Sequence, residues 1–357
     1  MDESLCWKMQ QLADSLLLKM ITIARIVLSV IGFIFMIMLM KFGESHRRLH
    51  RNAKFLLILH YIATIGLSVA YFINYTYSII LLMISTKNSC DRLMTVWTSF
   101  HLHAIALLFV LLQMTSIFAI AIERTAATIL YKSYEKDKSI VLPAILIALQ
   151  IIIAVGIPYG FLARGLNWSE MSVGPTVVFS CNRRRNQIFT VTFVIFEFIM
   201  ALYIHLLLYS NYIRRKLTWQ WNSESDLSER YQIDENIRAL HFIIRFLWLH
   251  IIFNCTAGTV AFITIVLNNN LNFVESQILD RIGFLNLYAI VLFILIFSID
   301  PTMRCKIKKY IAIRDVKVAS STAFANDTPI KTPNNMPHFI TQESTKARFD
   351  QFRMMLK

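Results

Sequence analysis

Glu123 and Arg124 stand side by side at the end of the apolar run Val96–Ile122. A carboxylate next to a permanently charged guanidinium can close on itself, or part so that each group takes another partner. That is the chemistry of a switch, and its plain alternative is an ordinary interfacial ion pair. A second boundary pair, Asp300-Pro301, ends the last apolar run, where the ring of Pro301 breaks a helix just after a carboxylate. Inside the apolar runs lie Glu197 and His250, each near the middle of its own run, together with His101, His103 and Gln113. Polar groups in hydrocarbon are costly, so each is a binding-site candidate. Glu197 is the sharpest of them. A carboxylate there needs a proton, a partner such as His250, or a cationic or hydrogen-bond-donating ligand; a protonated Glu bonded to a neighbouring helix is the structural alternative. His101 and His103 are two residues apart, so on a helix only one of them faces a given pocket.

Seven apolar stretches must position these groups: Ile21–Met40, Phe55–Ile84, Val96–Ile122, Val141–Ala163, Ile188–Tyr212, His241–Leu267 and Ile282–Ile299. Crossing about 30 Å of hydrocarbon takes roughly 20 helical residues, and each stretch is about that long or longer. A hydrophobic fraction of 56% and a mean hydropathy of +0.53 are membrane-protein values. The expected fold class is therefore all-α, a seven-transmembrane helix bundle. Residues 1–20 form an N-terminal segment, 21–299 the membrane domain, and 300–357 a tail that opens on a basic amphipathic segment.

Charge sets the expected orientation. One face of the bundle, with the tail, collects 24 of the 36 Lys and Arg residues, and the other collects 9. The positive-inside rule then puts the N-terminus outside and the C-terminus inside, with Arg183-Arg184-Arg185 as a dissenting outer cluster. The first span serves as its own insertion signal, since residues 1–20 hold no short apolar core. A net charge of +14 reads as an adaptation to the anionic inner leaflet, so the bilayer is a partner and nucleic acid is not. Of five cysteines, Cys90 and Cys181 face the oxidising side, and a disulfide between them would tie the long loop before the fifth span to the top of the third. Two free thiols are the alternative, and Cys6 on the same side could compete. Cys305, on the basic segment after the last span, is a palmitoylation candidate or an idle thiol. Only one Asn-x-Ser/Thr sequon, at Asn167, falls in an outer loop, which makes it the glycosylation candidate. Arg25 and Arg245 are read as snorkelling from span ends.

Other chemistries lack their residues. No His, Asp and Glu cluster has metal-ligand spacing, so neither a metal nor another cofactor is expected, nor an enzyme. A transporter usually shows paired broken helices, and only the fourth span holds internal prolines, Pro143 and Pro158. On the basic face, Asp226 and Glu229 fit a capping box that starts a polar helix running into the sixth span and carrying Arg230, Tyr231 and Arg238 toward a partner.

These motifs resemble known ones. An acid-Arg pair closing the third of seven helices is similar to the ionic latch of G-protein-coupled receptors, and Asp300-Pro301 resembles their seventh-helix Asn/Asp-Pro motif. Arg304 stands where rhodopsin-like receptors carry Tyr, and the fifth and sixth spans lack proline. Those departures argue against the rhodopsin-type toggle. No Lys occurs in Ile282–Ile299 for a retinal Schiff base. Closer still, Ile122-Glu123-Arg124-Thr125-Ala126-Ala127-Thr128, Leu227-Ser228-Glu229-Arg230-Tyr231-Gln232 and Glu235-Asn236-Ile237-Arg238-Ala239-Leu240 resemble the nematode serpentine chemoreceptors of the Sra superfamily. His50-Arg51-Asn52-Ala53-Lys54 and Cys90-Asp91 look like the alpha/beta class of that superfamily. The resemblance runs from about Cys6 to Lys309. It implies a chemosensory receptor in the plasma membrane, with the cilia of sensory neurons as a further expectation. Its implied partners are a small-molecule or peptide cue and a heterotrimeric G protein. The competing class is a seven-span ligand-gated channel subunit, whose topology is inverted.

Overall fold

A computed structural model describes residues 3–43, 50–84, 89–130, 140–221, 227–267, 273–282 and 285–310. Each long apolar run folds as helix, because a backbone in hydrocarbon must satisfy its hydrogen bonds within its own segment. The helices are α1 Glu3–Asp14, α2 Leu16–Phe42, α3 Arg51–Met83, α4 Val96–Ile129, α5 Val141–Val155, α6 Arg183–Trp221, α7 Leu227–Leu267, α8 Phe273–Ile282 and α9 Leu285–Ile299. A further helix, Pro301–Tyr310, turns through 103° from the one before it. The chain divides into a unit Met1–Lys306 and a second, Ile307–Lys357, of which residues 307–310 are described, as helix.

Local sequence explains the helix ends. Ser15 caps α2, its hydroxyl accepting from the Leu18 amide at 3.3 Å, and Thr95 does the same for α4 through Thr98 at 3.3 Å. Pro143 lies in the first turn of α5, where a missing N–H costs nothing. Pro158 cannot donate, and α5 widens there into a π-helical stretch, Gly156–Leu162, closed by Ala163 N–H onto the Pro158 carbonyl at 2.9 Å.

Among the described residues six helices are long and apolar enough to span a bilayer, and the bent pair Leu287–Ile299 and Pro301–Tyr310 makes a seventh candidate. Their outer faces are apolar. Val27, Val30, Ile34 and Ile37 project outward from α2 at helical spacing, as Ile195, Phe198, Leu202 and Leu206 do from α6. Such stripes suit lipid, since a water-facing surface would carry charge. α4 is the central helix, with 67% of its apolar stretch buried against 28% for α2, α5 and α6. It packs against α3 and α5 and touches α6 and α7, while α2 packs on α3 and α9, and α6 on α7. Close approach uses small residues: a Cβ on Gly66 of α3 would sit 2.3 Å from the Phe109 ring of α4.

The structure corrects the expected disulfide. Cys90 bonds Cys6, across 84 residues of sequence, and Cys181 is an exposed free thiol. The reason is α1, which is amphipathic and folds back. It buries Met9 and Leu12 with Leu18 and Leu82, and this carries Cys6 to the turn Ser89–Arg92. The tether expected of Cys181 exists without a covalent bond. Met94–Thr95 pairs antiparallel with Met171–Ser172, a small departure from an all-α fold. Ser99 at the head of α4 donates to the Gly174 carbonyl at 2.6 Å and accepts from the Thr176 amide at 3.1 Å. Replacing Cys6 or Cys90 by Ser is expected to destabilise the protein by about 2–4 kcal/mol, and the double variant no further. Cys181→Ser is expected to be neutral. Thermal unfolding of the four variants, with peptide mapping under non-reducing conditions, checks this.

Candidate functional site

Two polar systems lie inside the apolar bundle. The first surrounds a cavity of about 200 Å³, lined from α2, α3, α4, α6 and α7 and from the loop at Thr176–Val178. Arg25 of α2 lies on its wall. The expected snorkelling fails because α2 begins at Leu16, not Ile21, which puts Arg25 in its third turn. There it falls on the buried stripe Leu18, Thr22, Arg25, Ser29, Gly32, Met36 and Leu39. Its guanidinium lies over the Tyr75 ring, 5.7 Å from the centroid. Of the two neighbouring histidines only His103 lines the cavity. His101 faces away, among Trp97, Tyr159 and Trp168, with Nδ1 2.7 Å from the Trp97 carbonyl oxygen. The separation expected from helical geometry is what the fold delivers.

Below the cavity runs a buried polar column. Asn254 belongs to both, since it lines the cavity and donates from Nδ2 to Glu197 Oε1 at 3.0 Å. His250, one turn along α7, places Nδ1 3.0 Å from the same oxygen. Glu197 is 2% exposed, so its carboxylate meets partners within the protein, one of them the expected His250. The column continues to His60 on α3, whose ring centroid lies 6.0 Å from that of His250. The Ser116 hydroxyl donates to the Gln113 carbonyl at 2.7 Å, which leaves its oxygen to accept from His60 Nδ1, also at 2.7 Å. In that tautomer His60 Nε2 accepts from the Tyr288 hydroxyl at 2.7 Å. Gln113 is buried at the α3–α4 contact and donates to Thr64 Oγ1 at 2.8 Å, away from the cavity.

The second system lies at the far end of α4. Glu123 and Arg124 are both buried and form a bidentate pair, Nε to Oε2 and Nη2 to Oε1, each at 2.5 Å. His50 Nδ1 lies 4.0 Å from Glu123 Oε1. One turn beyond, Thr128 is the centre of a stitch across three helices. Its hydroxyl accepts from Asn211 of α6 at 3.1 Å and from Asn236 of α7 at 2.6 Å, and Asn236 also donates to Asn211 Oδ1 at 3.1 Å. Arg214 of α6 donates to the Thr128 carbonyl at 2.5 Å, and Thr125 meets the Tyr203 hydroxyl at 2.5 Å. Asp300 accepts from the amides of Thr302 and Met303, which caps the helix that Pro301 opens.

Other expected positions lie apart. Tyr231 is exposed, and Arg238 donates to the Asp234 carbonyl of its own helix at 3.2 Å. Asp234 pairs instead with Arg215 across α6 and α7 at 2.9 Å, and Arg230 lies near the start of α7. That helix is continuous from Leu227 into the bundle, as expected, while Asp226 and the side chain of Glu229 lie outside the described residues. Asn167 is exposed in a turn held by Glu170 and Ser169, and Cys305 is exposed. Among the described residues no group of three or more His, Cys, Asp or Glu side chains could hold a metal. Sequence reading missed Arg25, His60, Asn254, Tyr288, Thr128, Asn211 and Asn236. For His60, Asn254 and Tyr288 the available signal was the one applied to Glu197, a polar residue inside an apolar span, whereas Arg25, Thr128, Asn211 and Asn236 lie at or beyond span ends and gave no such signal.

Long apolar helices around a buried polar column define a multi-pass membrane protein. Comparison with known proteins makes this specific. The family model described as "Serpentine type 7TM GPCR receptor class ab chemoreceptor" matches residues 3–326. The serpentine receptor class alpha/beta-14 of Caenorhabditis elegans is 30% identical over 220 residues, 59% of this chain and 53% of the relative. A probable G-protein coupled receptor of the same nematode is 32% identical over 145 residues, 40% of this chain and 38% of the relative. The chain thus spans about half the length or less of these relatives. It belongs to the class ab serpentine chemoreceptor family, whose members are receptors and not enzymes.

Proposed function

We propose that the protein binds an external chemical cue in the cavity among α2, α3, α4, α6 and α7 and thereby activates a heterotrimeric G protein. In this reading the N-terminus is outside, the tail inside, and the protein resides in the plasma membrane, including that of sensory cilia. The observation that carries it is Asn254, which lines the cavity and bonds Glu197 at the head of the buried polar column. A ligand that moves Asn254 changes the packing of α6 against α7, and these two helices are the ones stitched to α4 through Thr128. Loss of the stitch would let α6 and α7 part from α4 and free Glu123 and Arg124 to exchange partners, which is how a small displacement becomes a choice between two packings.

Epitope accessibility tests the orientation. An N-terminal tag is expected to label on intact cells, and a C-terminal tag only after permeabilisation. The reverse pattern would overturn this reading in favour of the inverted channel. Asn236→Ala, which removes both bonds donated by that amide, is expected to raise cue-independent G-protein activation several-fold at matched surface level. Unchanged basal activation would make the stitch purely structural.

A further inference from the structure

On the cavity wall, α6 and α7 spend their side-chain hydrogens on the protein and leave oxygens over. Asn254 turns its amide nitrogen to Glu197 Oε1 at 3.0 Å, which leaves Oδ1 on the other side of the amide, toward the cavity it lines. Asn186 is fixed in the same way. Its Nδ2 donates to Asn182 Oδ1 at 2.9 Å and to the Val177 carbonyl at 3.2 Å, so its own Oδ1 is the atom left. Thr190 gives its one hydroxyl hydrogen to the Asn186 carbonyl at 2.9 Å. Both asparagines are 3% exposed, and among the described residues nothing donates to either Oδ1 or to Thr190 Oγ1. A buried acceptor without a donor is costly, so these oxygens await a donor that the fold does not supply. Arg25, Tyr71, Tyr75 and His103, also on the wall, have interactions of their own. The apolar part of the wall is largely aromatic. α3 contributes Tyr71 and Tyr75, stacked with centroids 5.6 Å apart, and α6 contributes Phe189 and Phe193 at 5.8 Å.

Taking the cavity as the cue site of the proposed function, we propose that its ligand is a small aromatic hydrogen-bond donor, whose N–H or O–H meets Asn254 Oδ1 while its ring lies against Phe189 and Phe193. Aromatic rings pack well on one another offset or edge to face. An apolar cavity of about 150 Å³ holds one benzene ring. A cavity of about 200 Å³ therefore admits a ring with a few further heavy atoms, or a fused bicycle, and excludes a peptide. A site whose buried oxygens need a donor also rejects an isostere that lacks one.

Indole and benzofuran test this, since they share a fused bicycle and differ in whether the ring carries N–H or oxygen. Both are measured by equilibrium binding to the full-length protein in lipid nanodiscs, corrected for partition into protein-free nanodiscs. Indole is expected to bind saturably and at least fivefold tighter than benzofuran. Asn254→Ala is expected to bring the ratio near one by weakening indole alone. A purely structural asparagine would instead weaken both probes together, and that result would overturn the assignment. Equal binding of the two probes to the wild-type protein, or saturable binding of neither, would overturn the proposal whether or not the variants fold. Ala257→Phe, which fills the cavity from α7, separates this failure from that of the cue site itself. If the wild type does not distinguish the probes but Ala257→Phe abolishes binding of both, the cavity stands and the donor proposal falls. Unchanged binding of both probes in Ala257→Phe would remove the cavity, and the proposal with it.

Discussion

Arg124→Ala is expected to lower the folded, surface-exposed population sharply, not merely to silence signalling. The change leaves the Glu123 carboxylate, which is 0% exposed, without its bidentate partner. Removing one member of a buried pair costs about 3–5 kcal/mol, because the remaining charge loses its compensation while staying out of water. Sequence position alone suggests an interfacial arginine that folding would hardly miss, and burial reverses that expectation. Glu123→Gln is the informative companion. It keeps the side-chain shape and an amide oxygen for Arg124 but leaves that buried guanidinium without its counter-charge, so surface level should fall here too, and cue-independent activation should rise among the molecules that reach the surface. The double variant Glu123→Gln, Arg124→Gln should recover most of the surface population lost in Arg124→Ala. Surface biotinylation with a basal G-protein assay reads both quantities. Equal surface levels for Arg124→Ala and wild type would show that the buried pair contributes little to folding.

Glu197→Leu is expected to be the second severe change. It deletes the oxygen that accepts from Asn254 and lies 3.0 Å from His250 Nδ1, and leaves these two groups, whose Nδ2 and Nδ1 atoms are 2.7 Å apart, with fewer partners beside an apolar side chain. Unmet hydrogen-bonding capacity on a buried polar group costs about 1–3 kcal/mol, a large share of the stability of a marginal protein. Glu197→Gln retains an acceptor oxygen for Asn254 but turns an N–H toward one of its neighbours, and so should fold. Once a cue is in hand, the position of Glu197 beneath the cavity predicts a response in Glu197→Gln with a lower maximum and an unmoved midpoint. A midpoint shifted at least tenfold would instead make Glu197 a direct ligand contact.

The apolar stretches alone determined the approximate place of six long helices, with the expected seventh span met by a bent pair, because hydrocarbon leaves a spanning backbone few alternatives to helix. They also marked Glu123, Arg124, Glu197 and His250 as groups needing partners. Partner choice was less legible. Burial of Glu197 demanded a partner, but only the meeting of α6 and α7 made that partner His250 together with Asn254. Asn254, Asn211 and Asn236 look unremarkable in a linear reading. Their value lies in which helices their amides reach, across separations of 57, 83 and 108 residues. Arg25 moved from span end to cavity wall because an N-cap five residues earlier lengthened α2, a difference that hydropathy averages over. The disulfide was decided by α1, whose apolar face folds back on α2 and α3 and delivers Cys6 to Cys90 ahead of Cys181. A sequence specifies which residues cannot face lipid alone, and the packing of helices decides which of them meet.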